Sequence, residues 1–218
     1  MLHPILERKS LDILTIPGLD GSGADHWQTL WERELPNCRR VEMPDWARPS
    51  RAEWVKSLDR AIAAAQSPTI LVAHSLGCLA VAWWATEKWQ LRWSGQVLGG
   101  LLVAPPCVEG ECATERILSF RPAPRTVLPF PTLLVASRND PYASLATSKR
   151  LAAMWGSELI DAGNNGHLNA ASRLGRWEHG LAMLAGLAGA DREAGRDPGS
   201  PAHHPRESYR PTHEGPRA

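Results

Sequence analysis

Short apolar runs alternate with longer amphipathic stretches along residues 1–187. Six runs have the length of strands, and several are apolar without interruption, which is typical of strands covered on both faces of a parallel sheet. They span residues 11–16, 38–43, 69–73, 99–104, 132–136 and 157–160. Between them, apolar residues recur at helical spacing around 27–35 and 54–65, and further helices are predicted over 76–88, 145–155 and 170–187. The alternation predicts an open α/β sheet with right-handed crossovers.

The composition changes at residue 188. Residues 188–218 contain no Leu, Ile, Val, Phe, Met or Trp and are rich in Pro, Gly and charges of both signs. Such a segment buries too little apolar area to offset the entropy lost on ordering. We therefore predict one folded domain over 1–187 and a disordered polar tail over 188–218.

Charge and composition exclude several classes of protein. The chain has 218 residues, with 24 Lys and Arg against 23 Asp and Glu, so it lacks the basic excess of a nucleic-acid binder. No apolar run approaches the roughly 18 residues of a membrane span. The first ten residues mix in charges, unlike a signal peptide, so we expect a cytoplasmic protein. The four cysteines form no C-x-x-C pair and predict neither a metal site nor a disulfide framework.

A serine stands where the third run meets a predicted helix. The segment AHSLG, residues 73–77, resembles the G-x-S-x-G nucleophile elbow, with Ala in place of the first Gly. A sharp turn there projects the hydroxyl of Ser75 above the sheet, and small neighbours are needed because strand and helix nearly touch. The alternative is that Ser75 only caps the helix.

A nucleophilic serine needs a base, and the base needs an acid that orients it. In α/β-hydrolases the chain order is Ser, acid, His. Asp140 follows the fifth run and His167 follows the sixth, so both are predicted at the edge of the sheet where ligands bind. Asp161 ranks second as the acid. His74 is predicted to point away from Ser75, and His26 to lie near the mouth of the site.

Two backbone N–H groups are predicted to stabilise an oxyanion. One belongs to Leu76, after the serine, and the other to Leu19 in the Gly-rich loop after the first run. That loop lacks both G-x-G-x-x-G and a G-K-[ST] ending, so a nucleotide site is a weak alternative. Most of the ten tryptophans are predicted to cover the sheet, whereas Trp27 and Trp46 lie near strand ends and are candidates to line a pocket.

Together these motifs resemble the small serine hydrolases of the YdeN and retinoblastoma-binding protein nine type. The resemblance rests on five short segments over about residues 11–187: P-G at 17, D-H-W at 25, H-S-L-G at 74, N-D-P at 139 and G-H at 166. It implies an α/β-hydrolase fold with six strands in a mainly parallel sheet and no lid domain. It also implies a catalytic triad of Ser75, Asp140 and His167.

The sequence thus predicts a serine hydrolase that needs no cofactor and cleaves small ester or amide substrates through an acyl-enzyme. The physiological substrate, the preference for ester or amide, and the oligomeric state are left open. The alternative is a non-catalytic binding protein on the same scaffold, which esterase activity towards a short aryl ester would distinguish.

Overall fold

Six parallel strands form one sheet in the order β2-β1-β3-β4-β5-β6. The structure is a computed structural model that describes residues 6, 10–89, 93, 95–109 and 114–194. The predicted α/β sheet with helices on both faces is confirmed. The strands are β1 Asp12–Ile16, β2 Cys38–Arg40, β3 Thr69–His74, β4 Val97–Val103, β5 Thr132–Ala136 and β6 Glu158–Asp161.

Within the described residues, five α-helices cover the sheet: α1 Trp27–Glu34, α2 Arg51–Ala63, α3 Leu76–Glu87, α4 Leu145–Trp155 and α5 Glu178–Ala194. The helices α2, α3 and α4 pack on one face, and α1 and α5 pack on the other. Successive residues of the central strands alternate between the two cores: Leu71 belongs to the first and Val72 to the second. Because both faces are covered, these strands are apolar throughout rather than alternating with polar residues.

The structure corrects the predicted bounds at the edges of the sheet. The strand β2 ends at Arg40, before the predicted residue 43, as the chain leaves the edge towards Pro44. The strand β6 begins at Glu158, because the N–H of Ser157 still bonds to the carbonyl of Ala152 in α4. Edge strands have one neighbour each, so their ends are set by the adjoining turns.

The last predicted helix is also divided. A 3₁₀ turn over Ala170–Ser172 is separated from α5 by backbone with positive φ at Arg173, Gly175 and Trp177, which an α-helix does not allow. The helix α5 then continues to Ala194, past residue 188 where the tail was predicted to begin, and Ala188 is buried against the sheet. Residues 195–218 lie outside the described residues, so disorder there stays a prediction.

A further 3₁₀ segment over Glu115–Phe120 lies in the connection between β4 and β5, where the sequence predicted no element. Ile117 and Phe120 anchor it in the core on the α2 and α3 face. Across the described part of the chain, no helix is both long and apolar enough to cross a membrane.

Candidate active site

Ser75 occupies a sharp turn between β3 and α3. Its backbone has φ 53° and ψ −124°, outside the regions that L-residues ordinarily adopt. The N–H of Ser75 bonds to the carbonyl of Val103 at 2.8 Å, which ties the turn to the neighbouring strand. Residues other than glycine keep such strained backbone angles only when many surrounding contacts hold them, and they cluster at functional sites.

Two glycines make room for this turn. A Cβ at Gly77 would lie 2.1 Å from the carbonyl oxygen of Ile16, because the start of α3 crosses the end of β1 almost in contact. A Cβ at Gly18 would lie 2.6 Å from the Cβ of Ser75. Backbone packing at this junction therefore explains the small residue at position 77 of the motif, and Gly18 supplies a second one from the loop after β1.

Ser75, His167 and Asp140 form a continuous chain of hydrogen bonds. Nε2 of His167 lies 2.8 Å from Oγ of Ser75, and Nδ1 lies 3.0 and 2.9 Å from the two carboxylate oxygens of Asp140. A carboxylate only accepts, so Nδ1 is the donor and Nε2 of the neutral ring is left to accept from the serine hydroxyl. The side chains of His167 and Asp140 are 8% and 3% exposed, so water competes little for these bonds.

The loops after β5 and β6 hold each other in place. The Asn139 side-chain oxygen accepts from the N–H of Gly166 at 2.8 Å and from the hydroxyl of Ser137 at 2.9 Å. The same hydroxyl accepts from the N–H of Asn165 at 2.9 Å. Since Asp140 follows Asn139 and His167 follows Gly166, this network sets the distance between Asp140 and His167.

Asp161, the second candidate for the acid, has other partners. Its carboxylate accepts from Nε of Arg138 at 2.8 Å and from the N–H of Gly163 at 2.9 Å. The guanidinium of Arg138 holds the pKa of Asp161 below its ordinary value. The structure thus brings Asp140, and not Asp161, against His167.

Leu76 directly follows Ser75 in the chain, and Leu19 lines the same cavity as both of them. Leu76 is the first residue of α3, so its N–H has no acceptor within the helix. Among the hydrogen bonds of the described residues, neither N–H has a partner. The adjacent Asp20 has φ 63° and bonds through its own N–H to the carbonyl of Trp46 at 2.9 Å, which fixes the curl of the loop.

An ion pair joins this loop to the 3₁₀ segment. Arg116 donates from Nη1 to one carboxylate oxygen of Asp20 at 3.0 Å, from Nη2 to the other at 2.5 Å, and from Nε to the carbonyl of Ala47 at 2.9 Å. The carboxylate of Asp20 raises the pKa of Arg116. The sequence contained no signal for this pair, because its members are 96 residues apart.

Two further histidines pack beside His167. The ring of His74 lies 4.9 Å from that of His167 and 4.7 Å from that of His26. Nε2 of His74 donates to the carbonyl of His167 at 2.9 Å; the ring therefore points away from the serine hydroxyl and supports the His167 loop. Burial lowers the pKa of His74 well below its usual value and that of His26 to about 4. Both rings are thus neutral at pH 7 and add no positive charge beside His167.

A cavity of about 180 Å³ opens onto Ser75 and His167. Its walls come from the loops after β1, β3, β4, β5 and β6 and from the 3₁₀ segment. Residues that sequence reasoning did not single out here include Thr114, Ile117, Tyr142 and Asn169. The ring of Tyr142 meets that of His167 edge-on at 4.5 Å. In the sequence, only the position of Tyr142, two residues after Asp140, could have indicated that its ring lies beside His167.

Two expectations about the cavity are wrong. Trp27 does not line it: its indole N–H donates to the carbonyl of Leu168 at 2.8 Å, and its ring packs with Trp31 and Trp177 beneath α1 and α5. Trp46 packs against Trp54 in the opposite core.

Cys107, which does line the cavity, is disulfide-bonded, although the cysteine spacing predicted no disulfide framework.

A family model described as serine hydrolase matches residues 13–186 of the chain. The chain belongs to the serine hydrolase family. Among solved structures, this serine hydrolase is similar to a YdeN-like hydrolase from Pectobacterium atrosepticum, with 33% identity, a TM-score of 0.73 and coverage of 83% of this chain and 91% of that chain. The resemblance to YdeN-type hydrolases is thereby confirmed.

More distant structures share the fold. The ydeN gene product of B. subtilis is 21% identical, with a TM-score of 0.68, over 81% of this chain and 97% of that one. Est1E from Butyrivibrio proteoclasticus, bound to ferulic acid, is 12% identical, with a TM-score of 0.58, over 86% of this serine hydrolase and 90% of its own chain. The comparison with curated proteins found no match.

Proposed function

We propose that this serine hydrolase cleaves small carboxylic esters or amides through an acyl-enzyme formed on Ser75. The observation that carries the proposal is the hydrogen-bonded chain from Ser75 through His167 to Asp140, in which every contact is between 2.8 and 3.0 Å. Such a chain activates a hydroxyl that is otherwise a poor nucleophile.

In the first half of the reaction, His167 takes the proton of Ser75 as Oγ attacks the carbonyl carbon of the substrate. Asp140 holds the imidazole in the required tautomer and stabilises the imidazolium that forms. The N–H groups of Leu19 and Leu76 donate to the oxyanion of the tetrahedral intermediate. His167 then gives the proton to the leaving group as the bond to that group breaks.

In the second half, His167 takes a proton from water as the water oxygen attacks the acyl carbonyl. The intermediate collapses, the acid product leaves, and the proton returns to Oγ of Ser75. Apart from water, every group that this cycle requires belongs to the chain itself, so the proposal invokes no cofactor or metal.

The size of the cavity supports small substrates. Its volume of about 180 Å³ is below the range of about 300–1,000 Å³ found for sites that hold drug-sized ligands. The wall is mainly apolar and includes the side chains of Ile117 and Leu19. Short acyl chains fit such a pocket better than long ones.

The test is hydrolysis of a short-chain aryl ester by wild type and by Ser75→Ala. Without the nucleophile, kcat should fall by at least about a thousandfold, while Tm stays within roughly 3 °C, because only one oxygen atom is removed. Ser57→Ala is the matched control, since Ser57 lies in α2 and does not line the cavity. Substantial activity in Ser75→Ala with a normal Ser57→Ala would contradict the proposal.

A further inference from the structure

A polar groove adjoins the candidate active site. Its volume is about 490 Å³, and Tyr142, His167 and Asn169 line both this groove and the cavity of about 180 Å³. The rest of its wall comes from the loop after β6 and from the 3₁₀ turn that follows, including residues 164–166 and 171–172. The two spaces therefore meet at the residue that acts as the base in the proposed reaction.

The lining residues indicate which part of a substrate each space can hold. Ser75, Leu19 and Leu76 line the cavity and not the groove. His167 lines both of them. In the proposed reaction the carbonyl group lies with Ser75 and the two N–H groups, whereas His167 gives its proton to the leaving group. The groove is thus the space beside the group that His167 protonates.

The groove offers uncharged polar groups. None of the described residues that line it is Lys, Arg, Asp or Glu. The side chain of Asn164 is exposed and has no hydrogen-bond partner among the described residues. In Asn169, Oδ1 accepts from the N–H of Ala171 at 3.0 Å, so the amide nitrogen remains to donate. Hydroxyl groups of a ligand can donate and accept here, whereas a charged group would gain no ion pair.

Tyr142 adds an aromatic ring to the groove. It is 49% exposed, and the described residues include only two other exposed large hydrophobic side chains. Its N–H donates to Asp140 at 2.9 Å, its carbonyl accepts from the N–H of Cys107 at 2.9 Å, and its ring contacts that of His167. An exposed ring with a polar tip suits a ligand that has both an apolar face and polar edges, which a sugar or a cyclic polyol has.

Hydrogen bonds within the chain fix the shape of the groove. The hydroxyl of Ser172 donates to the carbonyl of Asn165 at 2.6 Å and accepts from the N–H of Asn169 at 3.2 Å. The side-chain amide of Asn165 donates to the carbonyl of Ala162 at 2.5 Å. A wall that is formed before the ligand arrives lowers the entropy cost of binding.

We propose that this groove binds the alcohol part of the substrate and selects an uncharged group rich in hydroxyls, a sugar or another polyol. The ring of Tyr142 packs against the C–H face of that group, and the amides of Asn164 and Asn169 bond to its hydroxyls. The inference rests on the proposed hydrolase function and narrows its substrates to short-chain acyl esters of polyols.

The experiment compares two acetates that differ in the alcohol part. Methyl 6-O-acetyl-glucopyranoside and cyclohexylmethyl acetate both carry the ester on a CH₂ group next to a six-membered ring, and only the first has ring hydroxyls. Both give the same acetyl-enzyme, so a difference in kcat/KM arises before the alcohol has left. After division by the rate constant for hydroxide-catalysed hydrolysis of each ester, wild type should prefer the sugar acetate by about tenfold or more.

A second pair of esters tests the acyl part. An aryl methoxyacetate and the aryl butyrate have the same alcohol and differ by one oxygen atom in the acyl chain. Because the groove is assigned to the alcohol, the corrected kcat/KM values of these two esters should agree within about threefold.

Variants of the groove connect the preference to its residues. Tyr142→Ala removes the ring, so the preference for the sugar acetate should fall by about fivefold or more, whereas Tyr142→Phe keeps the ring and should retain more of it. Asn164→Ala removes an exposed amide and should lower the preference by about two- to fivefold. The ratio within the pair is insensitive to a uniform loss of activity, and thermal unfolding checks that each variant is folded.

The matched control is Ser57→Ala, since Ser57 lies in α2 and lines neither space; its preference should equal that of wild type. If wild type hydrolyses both acetates without preference, prefers oxygen only in the acyl pair, or keeps the full preference in Tyr142→Ala and Asn164→Ala, the role of the groove is overturned and the hydrolase function stands. If wild type hydrolyses none of the four esters and Ser75 does not react with a fluorophosphonate, both proposals fall together.

Discussion

At the scale of single residues, the site depends on two unfavourable features that the fold maintains. Ser75 has a positive φ, which for a residue other than glycine costs on the order of 1–3 kcal/mol. Asp140 and His167 are nearly fully buried as side chains, which is tolerated because each is hydrogen-bonded. Asp140 also accepts from the N–H of Tyr142 at 2.9 Å, so its carboxylate is oriented by the backbone as well as by the imidazole.

Single substitutions test directly whether Asp140 or Asp161 is the acid that orients His167. Asp140→Asn replaces an acceptor with an amide that can donate to Nδ1, which favours the wrong tautomer of His167. We expect kcat for an aryl ester to fall by about 10³–10⁴, with little change in Tm. The measurement is steady-state hydrolysis by wild type and variant at pH 7.5.

Asp161→Asn is the matched control for this substitution. Its carboxylate bonds to Arg138 and Gly163 and not to His167, so kcat should stay within a few-fold of wild type. A larger loss in Asp161→Asn than in Asp140→Asn would reverse the assignment of the acid.

At the scale of elements, the nucleophile turn is produced by the contact between β1 and α3. Gly77 allows the first turn of the helix to lie against the carbonyls of Ile16 and Pro17. The loop after β1 also passes beside Ser75, because a Cβ at Gly18 would lie 2.6 Å from the Cβ of Ser75. The strand β1, the loop after it and the turn at Ser75 are therefore one packing unit.

Gly77→Ala should disrupt that unit. Its methyl group would lie 2.1 Å from the carbonyl oxygen of Ile16, a clash with backbone that side-chain rotation does not relieve. We expect the free energy of unfolding to fall by about 2–3 kcal/mol or more, with esterase activity reduced further by displacement of Ser75. Urea denaturation measures the first effect.

Gly186→Ala provides the comparison within the same protein. Gly186 is exposed in α5, and a Cβ there meets nothing within 4 Å. Alanine has the higher helix propensity, so this variant should gain up to about 1 kcal/mol of stability. If both substitutions changed the free energy of unfolding equally, the distance between α3 and β1 would have to be larger than the structure shows.

The elements also show what sequence patterns can predict. The four central strands and α3 and α4 were predicted closely, because continuous apolar runs and helical periodicity report burial on both faces of a sheet. The 3₁₀ segment over Glu115–Phe120 was not, since it is held by tertiary contacts such as Arg116 to Asp20 rather than by local periodicity. The end of α5 was placed too early because Ala, Glu and Arg favour a helix without giving it an apolar face.

At the scale of the whole molecule, the fold brings distant residues to one edge of the sheet. Parallel strands have their carboxyl ends together, so chain order and strand ends predicted the set Ser75, Asp140, His167, Leu19 and Leu76 that the structure brings together. The sequence predicted His26 near the mouth of the site, and His26 does line the cavity; the packing of its ring with those of His74 and His167 was beyond the sequence. It depends on how loops more than 90 residues apart pack, as the bond from His74 to the carbonyl of His167 illustrates.

The buried histidines predict how the stability of the whole molecule depends on pH. In the folded state the pKa of His26 is about 4, against 6.5 for an exposed ring. Between these values the unfolded chain binds more protons, so stability is full above pH 6.5 and is lost as the pH falls towards 4. From pH 7 to pH 5, His26 alone should remove about 2 kcal/mol, and His74 acts in the same direction.

Urea denaturation at pH 7 and pH 5 measures this dependence. His26→Asn has no titrating ring at this position, so its loss of stability between the two pH values should be smaller than that of wild type. An unchanged loss in the variant would show that His26 is accessible to protons in the folded state.

The central claim is that the fold activates Ser75 as a nucleophile. Its most direct test is the intact mass of the protein after incubation with a fluorophosphonate, measured on wild type and on Ser75→Ala. We expect one adduct on wild type and none on the variant. A folded wild-type protein that forms no adduct, or a Ser75→Ala variant that forms the same one, would contradict it.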